Sequence, residues 1–183
     1  MYQLAAFVVL SVGLIYISWA SLKAPRSHGF YRFFAWEFIL ALLLLDLDVW
    51  FSNPFSAHQM VSWALLILCI IPLVFGVRSL TNHGKAAAQR PDNAALLAFE
   101  KTTVLVTSGI YRYIRHPLYS SLLLLAWGIF FKAPGWPGAL LALAASLFLY
   151  ATARADEAEC IRFFGEPYRE FMKHTRMFVP FLF

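Results

Sequence analysis

The sequence predicts an all-α, polytopic membrane protein with about five transmembrane helices, and three observations carry that prediction. Hydrophobic residues make up 61% of the 183 and charged residues only 14%, where a soluble domain has about 45–50% and about 25%. The mean hydropathy is +0.65, and a water-soluble globule of this length could not cover that much apolar surface. Finally, the cations sort onto alternate connections between apolar stretches. Disorder is excluded by the same composition. A net charge of +5 does not point to nucleic acid, because hardly any soluble face exists on which it could cluster.

Five stretches reach, or nearly reach, the about 20 apolar residues that a helix needs to cross a hydrocarbon core. The first covers 2–22 and the second 33–51. The third, 58–80, contains Pro72, which should kink it. The fourth, 117–131, is short unless residues 111–116 add a turn. The fifth covers 138–154, and the Pro- and Gly-rich run from Lys132 to Gly138 predicts a tight turn before it. No basic region precedes the first stretch, so the expectation is a retained span rather than a cleaved signal peptide. The tail from Glu166 to His174 reads as an amphipathic helix lying against the membrane. The chain is read as one domain, 1–183, with N-terminal spans in 1–95 and a catalytic part in 96–183.

Topology follows from the cations. With five spans, the odd-numbered connections and the C-terminal tail hold 14 of the 15 basic residues, and only Lys132 lies opposite. Positively charged loops stay cytoplasmic, which puts the N-terminus outside and the C-terminus in the cytosol, across the inner membrane if the source is bacterial. The out-facing loops are too short to build a site, whereas the connection 81–111 and the tail 155–183 are each about 30 residues, and long loops are usually functional. Asp46 and Asp48 read as outer-interface residues. The two cysteines, Cys69 and Cys160, make no disulfide framework, and the five histidines show no metal-ligand spacing.

Two in-facing segments combine unusual residues. One contains Leu105-Val-Thr-Ser-Gly-Ile-Tyr111 and Arg115-His-Pro-Leu-Tyr119; the other contains Asp156, Glu157, Glu159 and Phe163-Phe-Gly-Glu-Pro-Tyr168. Spans four and five form an antiparallel hairpin about Gly135, with arms of roughly 27–32 Å at 1.5 Å per residue. His116 and Tyr119 should therefore meet Asp156 and Glu157 at one membrane surface. Taken singly, each feature also has a bland reading: interfacial anchors, an aromatic belt or a solvated helix face. Their convergence points to a site.

These blocks resemble the isoprenylcysteine carboxyl methyltransferase family, to which the phospholipid N-methyltransferases are similar. The likeness covers about the last 80 residues. It implies an integral membrane methyltransferase that uses S-adenosylmethionine (SAM) at the cytosolic face. Carried over residue by residue, it implies cofactor contacts at Val104, Leu105, Val106 and Tyr111. It implies others at His116, Pro117, Leu118 and Tyr119, and an acidic closure by Asp156 and Glu157. The family usually has Glu-Glu where this chain has Asp156-Glu157. Its substrate-side arginine has Arg154 as the local candidate.

The residues suit that chemistry on physical grounds. No GxG occurs among the nine glycines, so the Gly-rich turn of a doubly wound nucleotide fold is absent. Carboxylates can accept from ribose hydroxyls or an amine, and tyrosine faces attract a sulfonium. Methyl transfer is an in-line displacement, so alignment in a dry pocket supplies most of the acceleration. A carboxylate acceptor would need no general base; an amine or thiol would, with Glu157 or His116 as candidates. The expected partners are the bilayer and a lipid-like or small hydrophobic acceptor, with no metal. The tail, with Gly165 and Tyr168, also resembles NADPH-dependent membrane sterol reductases, the alternative alongside a non-catalytic protein of the same fold.

Overall fold

In the computed structural model, residues 2–84 and 102–180 are described. The expected connection 81–111 therefore lies partly outside the described residues, with three of its cations, Lys85, Arg90 and Lys101. All seven longer elements are α-helices, with no β-strand among the described residues: α1 (Tyr2–Leu22), α2 (His28–Leu45), α3 (Ala57–Leu68), α4 (Ile70–His83), α5 (Pro117–Phe130), α6 (Trp136–Phe164) and α7 (Glu166–His174). Among the described residues, four helices are long and apolar enough to cross a membrane, counting Ala57–His83 as one; α5 is shorter.

Ahead of α6 the boundaries differ from the sequence expectation in three places, each for a local reason. The second span starts at His28 because Ser27 caps it, accepting the Phe30 N–H, a preferred N-cap arrangement; the helix then ends at Leu45. The expected kink in the third span is a break at Cys69. Pro72 removes one hydrogen-bond donor and crowds the carbonyl four residues earlier, at Leu68. Residues 111–116 do not extend α5: Gly109–Arg112 form a 3₁₀ turn and His116 is non-helical.

Helix α6 departs furthest. The fifth stretch was expected to end at residue 154, but α6 runs 29 residues to Phe164, about 43 Å at 1.5 Å per residue, well beyond a hydrocarbon core of about 30 Å. Its last turns carry Asp156, Glu157, Glu159 and Cys160. Gly165 stops it at φ +68, a left-handed conformation that glycine adopts without strain.

Across the bundle, α1 packs on α2, α2 on α6, α6 on α5, and α5 on α3 and α4. Where α2, α5 and α6 meet, the buried core is rich in small residues: Ala35, Ala126, Ala142, Ala145 and Ala153 are all at 0% exposure. Small side chains let helices approach closely, a common solution for helix packing in lipid. The large exposed side chains of α1, α3, α4 and α6, such as Val9, Ile67, Phe75 and Leu147, form the apolar exterior expected of a bilayer-facing bundle.

Candidate active site

The site begins with a strap. Residues 113–116 pair with residues 176–177: the Arg115 N–H donates to the Arg176 carbonyl at 2.8 Å, the Arg176 N–H to the Tyr113 carbonyl at 3.0 Å, and the His116 N–H to the Met177 carbonyl at 3.1 Å. Pro117 then opens α5 at a position where its missing N–H costs nothing. The His116 backbone is thus fixed by the C-terminal segment on one side and the helix start on the other. Upstream, Gly109 has φ +63, and a Cβ there would lie 2.5 Å from the Ser79 hydroxyl. Only glycine fits that close, left-handed position.

Helices α5 and α6 bring the predicted pair of blocks together. The His116 ring sits between two carboxylates, Nδ1 3.5 Å from Asp156 and Nε2 3.5 Å from Glu157. It stacks on Tyr119 with ring centroids 5.3 Å apart, and the Tyr119 hydroxyl donates to Asp156 Oδ2 at 3.2 Å. Burial opposes a charge on the His116 ring, yet Asp156 and Glu157 outweigh it and raise its pKa above the ordinary histidine value. His116 Nε2 is buried and at those distances has no hydrogen-bond partner among the described residues.

The two adjacent acids have different surroundings. Asp156 faces a cavity. Glu157, 2% exposed, turns instead to Arg115, whose Nε donates to it at 2.8 Å. Arg115 Nη1 in turn donates to the carbonyls of Thr175 at 2.5 Å and Met172 at 3.3 Å. Glu157 and Arg115 therefore tie α6 to the end of α7 and to the strap. Arg154 is largely exposed, and among the described residues its charged partner is Glu157, at 3.6 Å.

The cavity opens to solvent, with about 680 Å³ of unfilled space when its open mouth is included. Of the residues singled out in the sequence, Leu105, Val106, Tyr111, His116, Pro117, Leu118, Tyr119 and Asp156 lie on its wall. Val104, Glu157 and Arg154 do not. Val104 is half-exposed outside it. Asp156, Cys160 and Phe164, at i, i+4 and i+8 of α6, form one stripe on the wall, and Tyr168 and Phe171 of α7 join them. Burial pushes the Tyr168 hydroxyl up from its usual value. The amphipathic tail helix thus turns apolar residues to the cavity and leaves Arg169 and Lys173 exposed.

One wall residue comes from an unexpected place. His28, at the start of α2, lies on the cavity at 0% exposure. Its N–H donates to Glu159 Oε1 at 2.9 Å and its Nδ1 meets Glu159 Oε2 at 2.5 Å. His28, Asp156 and Glu159 bring one donor atom each within 4.8 Å of one another. Sequence reading missed this group because 131 positions separate His28 from Glu159. Glu159, which taken singly reads as part of a solvated helix face, turns inward to His28 instead.

Residues 66–166 match the phospholipid methyltransferase family, more than half of the chain. The chain belongs to that family. It is 25% identical over 109 residues to methanethiol S-methyltransferase 1 of Bradyrhizobium diazoefficiens, an alignment covering 58% of this chain and 33% of that protein. It is 31% identical over 83 residues to protein-S-isoprenylcysteine O-methyltransferase of Schizosaccharomyces pombe, covering 45% of this chain and 35% of that one. The chain thus matches about a third of the length of either relative. No solved structure matches it. The matched region includes Gly109, His116, Tyr119, Asp156 and Glu157, the residues that build the cavity and its frame.

Proposed function

We propose that the protein is an integral membrane methyltransferase that transfers a methyl group from SAM to a lipid-like or small hydrophobic acceptor. The observation that carries this reading is the cavity at the α5–α6 hairpin, in which a carboxylate, stacked His–Tyr rings and apolar side chains converge within the family-matched region. These residues suit SAM. The buried His116 Nε2 has no hydrogen-bond partner among the described residues, Asp156 faces the open space, and tyrosine rings favour a cation.

SAM would supply a methyl group on a positively charged sulfur. Asp156 would accept hydrogen bonds from its polar groups, with Tyr119 holding that carboxylate in place. His116 and Tyr111 would line the same wall, beside Leu105, Val106, Pro117 and Leu118. Glu157 acts here as a positioning residue: it holds Arg115, and through Arg115 the end of α7, so that the His116 side of the cavity stays fixed. Helix α7 and the apolar side chains narrow the cavity, which favours a displacement that needs alignment more than acid–base help. No metal is required by these roles.

The cation distribution supports a cytosolic cavity, with the N-terminus outside. Isothermal titration of the purified protein with SAM and S-adenosylhomocysteine, in the presence of EDTA, tests the cofactor assignment. Micromolar binding is expected, and binding that appears only when a divalent ion is added would overturn it. Phosphatase fusions test the orientation: activity is expected near Gly135 and none after Phe183.

A further inference from the structure

We infer that His28 and Glu159 are positioning residues for SAM: together they turn the Asp156 carboxylate to the cavity and leave its charge free for the cofactor. This rests on the methyl-transfer reading and adds to it a pair of residues that join α2 to α6.

The turning follows from helix geometry. At about 100° per residue, Glu157 and Glu159 project to opposite flanks of α6, with Asp156 between them. Both flanks are tied. Glu157 accepts from Arg115 Nε at 2.8 Å. Glu159 is held twice by the start of α2: its Oε1 accepts the His28 backbone N–H at 2.9 Å, and its Oε2 meets His28 Nδ1 at 2.5 Å. That N–H is one of the donors that a helix N-terminus leaves without an intrahelical partner, and a carboxylate there also meets the positive end of the helix dipole. Rotating α6 to present either neighbour would break one of these ties. Accordingly Asp156 lies on the cavity wall, and Glu157 and Glu159 do not.

The charge follows from distance. His28, Asp156 and Glu159 bring one donor atom each within 4.8 Å of one another. Two carboxylates that close do not both stay ionised without a counter-charge. The His28 and Glu159 side chains are 1% and 6% exposed, so water cannot supply one. An imidazolium at His28, bonded to Glu159, does. Without it, Asp156 and Glu159 would share a proton, and the carboxylate that meets SAM would lose its charge. Other groups act on the same cluster. Arg32 of α2 faces His28; His116 and Tyr119 of α5, Cys160 of α6 and Tyr168 of α7 face Asp156. They are common to every variant below, so differences between variants report on the pair.

The test is isothermal titration of the full-length protein in nanodiscs with SAM, repeated across pH. His28→Gln leaves Glu159 without its cation. The pH at which SAM affinity falls on acidification should then rise by about one unit or more, the usual effect of a nearby like charge on a carboxylate, with binding about tenfold weaker at about pH 6. His28→Gln combined with Glu159→Gln removes both charges and keeps an amide at each position, and should return that midpoint to the wild-type value. A pair that only packed two helices would lower thermal stability without moving the midpoint. A second measurement needs no variant and decides the matter if the variants do not fold. Titrations of wild-type protein in two buffers of different ionisation enthalpy count the protons released as SAM binds. At about pH 6 no release is expected, because Asp156 already carries its charge, whereas release of about one proton would mean that the two acids share it. That release, a midpoint unmoved in folded His28→Gln, or one still raised in the double variant would overturn the inference while leaving SAM binding standing. Absence of SAM binding to the wild-type protein would overturn the methyl-transfer reading as well.

Discussion

The two ends of α5 handle buried charge in opposite ways. At the N-terminal end, every charge at the cavity has a counter-charge close by: His116 lies between Asp156 and Glu157, Glu157 holds Arg115, and His28 holds Glu159. At the C-terminal end, Lys132 is 1% exposed and its ammonium sits 3.4 Å from the Trp63 ring centroid and 5.0 Å from that of Trp50, donating to Gln59 Oε1 at 3.0 Å. Burial pushes the Lys132 pKa below the ordinary lysine range. Burial likewise raises the Asp46 carboxyl, at the end of α2, to about 6. Aromatic faces and an amide can hold a cation, but they offer it no counter-charge. At the paired end basic and acidic groups stand beside open space, and a proton or a charged ligand can be exchanged there without leaving a bare ion behind.

The largest expected effect breaks the paired end at its frame. Glu157→Ala leaves Arg115 buried without its carboxylate and should cost about 3–5 kcal/mol of stability, read as an earlier thermal transition in detergent. Adding Arg115→Met should recover a large part of that loss. Wild-type stability in Glu157→Ala would mean that the pair does not hold α7.

Next in size is the wall itself. Asp156→Asn and His116→Ala should each weaken SAM binding about ten- to hundredfold, since a hydrogen bond to a charged group is worth about 1.5–3 kcal/mol. Asp48→Ala, whose carboxylate meets Tyr2 and Gln3 at the exposed start of α1, should leave calorimetric affinity unchanged. Equal losses in all three would dissolve the distinction between the ends.

A pH dependence sharpens it. The folded-state pKa of His116 is raised above the unfolded value of about 6.5. Its stabilising contribution is therefore complete below about pH 6.5 and is lost as pH rises through the folded value. Thermal stability should fall over that window in wild type, and the fall should shrink in His116→Gln. A curve unchanged by the substitution would mean the ring does not charge between its carboxylates.

The smallest effect belongs to the aromatic end. Lys132→Met removes a cation–π contact of about 0.5–2 kcal/mol but also removes the cost of burying an ammonium, so stability should shift by no more than about 1 kcal/mol and SAM affinity by nothing measurable. A large loss of stability would show that the cage contributes more than it costs.

Much of this was legible in the chain. Apolar content and stretch length gave the helical bundle, and Pro72 marked the break realised at Cys69. The turn around Gly135 required that His116 and Tyr119 meet Asp156. The extent of α6 was not legible, because the charges after Arg154 end a hydropathy pattern without ending a helix; a helix stops where its backbone does, here at Gly165. Composition, order of apolar runs and local turn chemistry thus determine which segments are helices and roughly where they reverse. Tertiary structure alone decided which of two adjacent carboxylates faces the cavity, that Glu157 serves the frame through Arg115, and that His28 and Glu159 form a pair. Those outcomes depend on the rotation of α6 against α2 and on the strap from residues 176–177, contacts between positions far apart in the chain, and no local pattern encodes them.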